Sequence, residues 1–197
     1  MQLSVYLSMA AFALAASITP GPVNVVALSA GARHGLRASA AHVAGATAGF
    51  CLLLLLVGLG LHELLVRAPW IARLIQWTGV AYLLFMAWKL ARDDGRIDLQ
   101  QAQRAPSLLS GAIMQWLNPK AWMAAVAGIG VYAADGDLAR IGWFVAIYFA
   151  ICFVSVGAWA YAGAALSGRL RDPRRMRWFN RSMAALLAAS AIWLLIG

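Results

Sequence analysis

The chain reads as an all-α membrane protein: six transmembrane helices in two inverted three-helix repeats, with helices 1 and 4 broken at proline. Three observations predict this. The 197 residues are 63% hydrophobic and only 12% charged, with a mean hydropathy of +0.75, whereas a soluble domain carries about twice that share of charge. Several apolar stretches reach the roughly 20 residues a helix needs to cross a bilayer. Two of those stretches are interrupted in the same way, by Thr19-Pro20-Gly21-Pro22 and by Asn118-Pro119-Lys120. Thr and Asn side chains accept hydrogen bonds from the free N–H groups of a helix start. Proline is harmless at the first helical position, where its missing N–H would be unpaired anyway. Each interruption therefore predicts the end of one half-helix and the start of another. Pro20 and Pro119 lie 99 residues apart, close to half the chain. Interrupted apolar segments at matching places in two halves are the best sequence-level pointer to a transporter's binding site.

The elements follow in order. The N-terminus lacks the positive n-region of a signal peptide and its apolar run is longer than an h-region, so it is read as a retained first helix. Helix 1 is predicted from about Leu3 to Ala30, broken at Thr19 to Pro22, and followed by a basic loop, Gly31 to Arg37. Helix 2 spans about Ser39 to Leu61. Its Gly45 and Gly49, four apart, let helices approach closely in lipid. His62 and Glu63 open a short interfacial turn that reaches Pro69. Helix 3 runs from about Trp70 to Leu90 and carries Gly79 and Tyr82. Residues 92–106 form a solvated linker of mixed charge. Helix 4 spans about Leu108 to Ala134, broken at Asn118-Pro119. Asp135-Gly136-Asp137 is a turn without the ligand spacing of a calcium loop. Helix 5 covers about Ile141 to Leu166, Gly168 to Arg177 is a basic loop, and helix 6 runs from about Trp178 to Ile196. The whole is a single membrane domain with repeat 1 at about 1–91 and repeat 2 at about 107–197. Three crossings per half invert the second half relative to the first.

The net charge of +9 is explained by membrane orientation and not by nucleic acid. Twelve Lys and Arg residues fall on one side: Arg33 and Arg37; Lys89, Arg92, Arg96 and Arg104; Arg169, Arg171, Arg174, Arg175, Arg177 and Arg181. The other side has Arg67, Arg73 and Arg140. The richer side is predicted to be cytoplasmic, with both termini outside. Trp70, Trp88, Trp143 and Trp178 fall near predicted helix ends, where interfacial anchors belong.

A half-helix start presents free N–H groups and a positive dipole end, which suits a carboxylate. Lys120 lies about a dozen residues inside its segment, too deep to snorkel easily, and is predicted to face a cavity. Asn24 suits either substrate binding or a helix cross-link. No acidic residue lies in the middle of a helix, and the few candidates for a proton-carrying group are His42, Glu63 and Lys120. His42 reads as a helix-end contact. No enzyme constellation, metal-ligand spacing or phosphate loop is present, and no cofactor is expected. Cys51 and Cys152, at roughly matching places in helices 2 and 5, leave a membrane thiol relay as the alternative reading, although neither has a neighbour that would activate it.

Four stretches together resemble the LysE/RhtB family of bacterial amino-acid exporters: Ile18-Thr19-Pro20-Gly21-Pro22 with Asn24, His34-Gly35-Leu36-Arg37 and Gly45; Trp77 to Leu83; Asn118-Pro119-Lys120-Ala121; and Met176 to Arg181. The resemblance implies export of amino acids or related metabolites across the inner membrane, driven by an ion gradient with the proton as coupling ion. It implies the same six-helix inverted repeat. The sequence departs from the family after Lys120, where members often carry aromatic residues and a polar turn near the end of helix 4 and this chain reads Trp122-Met123-Ala124-Ala125-Val126-Ala127-Gly128. It also departs in helix 6, where Ala184 and Ala191 replace usual glycines and imply slightly different packing. The candidate substrate site is Thr19, Pro20, Gly21, Pro22, Asn24, Asn118, Pro119 and Lys120, joined by Tyr82. Gly45, Gly49 and Gly79 are packing positions. The expected partners are a small-molecule amino acid, H+ and the lipid bilayer, with homo-oligomerisation left open.

Overall fold

The computed structural model describes residues 2–61, 67–94, 106–170 and 172–196, without the side chains of residues 69, 72, 75 and 193–196. The predicted turn at His62 and Glu63, residues 95–105 of the linker and Arg171 lie outside the described residues. Among the described residues every regular element is helical: α1 (Leu3–Ile18), α2 (Pro22–Leu56) running into a π-helical turn (Val57–Leu61), α3 (Pro69–Ala91), α4 (Leu108–Trp116), α5 (Pro119–Tyr132), α6 (Leu138–Leu166) and α7 (Pro173–Ile196). The two predicted breaks therefore separate α1 from α2 and α4 from α5.

Three boundaries differ from the sequence reading, each for a local reason. The basic loop expected at Gly31 to Arg37 is helical almost throughout. One residue, Gly35 (φ 79, ψ 169), divides α2 into two limbs, because glycine can adopt the positive φ that other residues avoid. Helix 6 begins at Pro173, five residues early, since Asp172 accepts from the Arg174 N–H at 2.8 Å and a proline follows it at the first helical position. Arg174, Arg175 and Arg177 are thus on α7 and not in a loop. Asp137 likewise starts α6, its carboxylate accepting from the Ala139 and Arg140 amides at 2.8 and 3.2 Å. The Arg140 amide first, then its guanidinium and the Ala139 amide, hold that carboxyl below the usual carboxylate range.

α2 and α6, the long apolar elements, form the centre of the bundle. α1 runs parallel to α6, with Tyr6 against Trp143 and, further along, the Trp159 indole on the Ile18 carbonyl. The second limb of α2 runs the opposite way: Val43 meets Gly157, Cys51 meets Val145 and Gly58 meets Ile141. α1 and α5 are also antiparallel, with Ser8 bonded to Tyr132 at 2.8 Å and Phe12 beside Gly128. Close approach depends on glycine. A Cβ on Gly31 would lie 1.9 Å from the Ala160 carbonyl oxygen, and one on Gly45 only 1.8 Å from that of Leu108. α3 pairs with α7 through Val80, Leu83 and Ala87 against Ala184, Leu187 and Ala191. Ala184 and Ala191 are thus buried in that seam.

The end of the bundle beyond Gly35 is tightly packed. Ala32, Leu170 and Met176 form a small core there. Asp93 accepts from the Arg33 guanidinium and from the Asn180 amide, tying α2, α3 and α7 together. Asp93, read from sequence as part of a solvated linker, is instead a half-buried cross-link. The exposed Trp70, Trp88, Trp143 and Trp178 lie near the ends of α3, α6 and α7.

Candidate functional site

The two breaks meet. At the first, α1 ends at Ile18, Thr19 is extended, and α2 starts at Pro22 with Gly21 before it. The residue before a proline is pushed out of the helical region, so Pro20 ends the first half-helix and Pro22, not Pro20, opens the second. Thr19 accordingly does not cap a helix start. Its hydroxyl donates back to the Ala15 carbonyl. At the second break the sequence expectation holds: Asn118 caps α5, accepting from the Lys120 N–H at 3.2 Å, with Pro119 at the first position.

Carbonyls freed by a helix break must find donors where no water is at hand. Here side chains supply them. Asn24 Nδ2 donates to Ser17 O and to Thr19 O, both at 2.9 Å. Trp159 donates to Ile18 O at 3.1 Å, and Trp122 donates to Trp116 O at 2.8 Å. Asn24 is therefore a cross-link across the break. Lys120 Nζ donates to Thr19 O at 2.9 Å and lies 3.4 Å from Pro20 O. A cation from the second break thus sits on the negative carbonyl end of α1.

The two half-helix starts are not equivalent. The α5 start is closed by Asn118. The α2 start, at Gly21, has no side-chain cap. Val23 and Asn24, in its first turn, line a small inner cavity of about 40 Å³ with Ser17, Gln115, Asn118, Lys120, Tyr148 and Cys152. A larger cavity of about 600 Å³ adjoins it, lined by Phe12, Ala16, Thr19, Pro20, Gly21 and Pro22 on one side and by Asn118, Lys120, Met123, Ala124 and Ala127 on the other. Ala189 and Ser190 of α7 complete its wall. It extends from the breaks toward the end of the bundle that carries the N-terminus.

Of the predicted site residues, Thr19, Pro20, Gly21, Pro22, Asn24, Asn118 and Lys120 line one cavity or both. Pro119 is set back, its ring against Gly79 of α3. Tyr82 is half-buried against the main core and lines neither cavity. Sequence reasoning missed Ser17, Gln115 and Tyr148. Gln115 had a legible signal, being an amide inside an apolar run three residues before Asn118.

Two broken helices meeting at a cavity inside an apolar helical bundle define a membrane transporter of the broken-helix type. The LysE type translocator family model matches residues 14–197, and the chain belongs to that family. It is 29% identical to the cysteine/O-acetylserine efflux protein of Escherichia coli (strain K12) over 182 residues, which cover 92% of this chain and 91% of the relative. The protein of that name from Shigella flexneri matches to the same extent. No solved structure matches the chain. Cys51 and Cys152 are buried and free, and membership in a translocator family does not favour the thiol relay.

Proposed function

We propose that the protein is a secondary exporter of small zwitterionic amino acids, of the size and polarity of cysteine and O-acetylserine, driven by protons. One observation carries this reading: Lys120 and the uncapped α2 start share one cavity with the Pro20 carbonyl. The first pair offers positive charge and N–H groups to a carboxylate. The Pro20 carbonyl, which Lys120 reaches only at 3.4 Å, offers an acceptor to an ammonium. The larger cavity is walled mainly by Ala, Met, Phe and Pro side chains, which suits a short, uncharged side chain. The relatives' names point to the same substrate class.

In this reading repeat 1 (about 1–91) and repeat 2 (about 107–197) rock about the breaks to give alternating access. The packed end at Arg33, Asp93 and Asn180 closes the cytoplasmic mouth in this conformation, and the cavity faces the other side. The protein then sits in the bacterial inner membrane with both termini outside. A reporter that fluoresces only in the cytoplasm, fused after Gly197, stays dark if this is right; a bright fusion reverses the topology. Cells overproducing the protein should release several-fold more cysteine and O-acetylserine into the medium than cells carrying an empty vector. Unchanged levels of both would reject the substrate class.

A further inference from the structure

A row of buried polar side chains with few partners leads away from the inner cavity. His42 is 1% exposed, and neither ring nitrogen makes a sound hydrogen bond. Its ring lies against the main chain of Val23, in the first turn of the uncapped half-helix. Thr47, Ser155 and Ser17 are also buried: the Thr47 and Ser17 hydroxyls have the Cys152 thiol, a weak partner, beside them, and the Ser155 hydroxyl has none among the described residues. Thr47 and Ser17 both lie beside Cys152, and Ser17 and Cys152 line the inner cavity. Val43 meets Gly157 one turn away, so Ser155 stands between the level of Thr47 and that of His42. Buried polar groups almost always find partners. Four buried polar groups with weak partners or none, leading from the cavity to an imidazole, describe a path that water or a proton can follow.

We infer that His42 carries the coupling proton of the exporter, reached from the cavity through Ser17, Thr47 and Ser155. This rests on the proton-coupled export proposed above. Histidine is the side chain whose charge changes most readily near neutral pH, and ionisable groups within membranes mark proton relays. The other titratable groups around this end of the cavity are Lys120 from α5, Tyr148 and Cys152 from α6, and Cys51 on the same helix as His42. α1 and α4 bring Ser17 and Gln115, which do not titrate. In the cycle, a proton from the outer side binds the lone pair of neutral His42. The imidazolium and the ammonium of a substrate repel each other across a site of low dielectric. Entry of substrate from the cytoplasm therefore expels the proton to the cytoplasm, and departure of substrate outward lets the next proton bind. One zwitterion leaves for each proton that enters.

Two assays on purified protein in lipid vesicles, with labelled cysteine, separate the steps. Counterflow measures substrate exchange without net proton movement, and transport under an imposed pH gradient measures coupling. His42→Gln should keep counterflow near the wild-type rate while the stimulation by the gradient falls to one-fold. Gradient stimulation that survives in His42→Gln overturns the inference alone. Loss of both activities makes His42 a structural or binding residue and also overturns it. Wild-type vesicles that exchange cysteine but ignore the gradient overturn proton coupling itself. Wild-type vesicles without exchange reject cysteine as substrate. If His42→Gln does not reach the membrane, His42→Asn is scored by the same outcomes.

Discussion

Replacing Lys120 with Met should cut amino-acid efflux from loaded cells at least tenfold while leaving the amount of protein in the membrane unchanged. The first half follows from charge. A hydrogen bond to a charged group contributes about 1.5–3 kcal/mol, and each 1.4 kcal/mol is roughly a factor of ten in affinity. Methionine keeps much of the length and apolar bulk and removes the cation. The second half follows from the geometry of the break. Thr19 O loses its bond from Lys120 but keeps the one from Asn24 Nδ2 at 2.9 Å, and Pro20 O, which loses the longer 3.4 Å contact, belongs to a residue that lines the open cavity. Efflux within about twofold of wild type would remove Lys120 from the site. Loss of the protein from the membrane would instead make it a structural tether.

Gly45→Ala should destabilise the protein although alanine is the better helix former by about 1 kcal/mol. The added Cβ would lie 1.8 Å from the Leu108 carbonyl oxygen and 2.6 Å from its carbon. Those are backbone atoms at the start of α4, and they cannot rotate aside. Relief requires α4 to shift, and α4 leads into the Asn118 break. Overpacking of a tight core costs about 1–3 kcal/mol or more, so a lower melting temperature in detergent and a loss of efflux are expected together. Gly142→Ala is the matched control. Nothing lies within 4 Å of a Cβ there, and the same change should be neutral or mildly stabilising. Equal melting temperatures for the two variants would show that the α2–α4 contact is looser than its geometry indicates.

The class of this protein was legible because lipid imposes strict rules on sequence. Long apolar stretches and two Pro-containing interruptions are local features, and both interruptions appear where they were read. The helix cap at Asn118 was legible for the same reason: an Asn before a Pro acts on its own neighbours. The matching inference at Thr19 failed because two prolines compete there. Choosing between Pro20 and Pro22 depended on how the extended Thr19–Gly21 segment was seated, with Asn24 and Lys120 on the Thr19 carbonyl and Trp159 on that of Ile18 just before it. Trp159 lies 141 residues from Ile18, and no local pattern announces that pairing. Gly35 was quoted as part of a motif, but that a single residue would turn the chain was hidden by the loop-like composition around it.

Hydrophobicity and helix breaks determined by themselves that this chain is a broken-helix membrane protein, since each acts through neighbours in sequence or through the bilayer. Only the tertiary structure decided that the site is lopsided, with one half-helix start closed by its own Asn118 and the other left uncapped beside Lys120. It alone moved His42 from a helix end to the buried core and Asp93 from solvent to a three-helix cross-link. The reason is physical: a polar side chain's role depends on what fills the few ångströms around it, and in this bundle those neighbours come from helices distant in sequence.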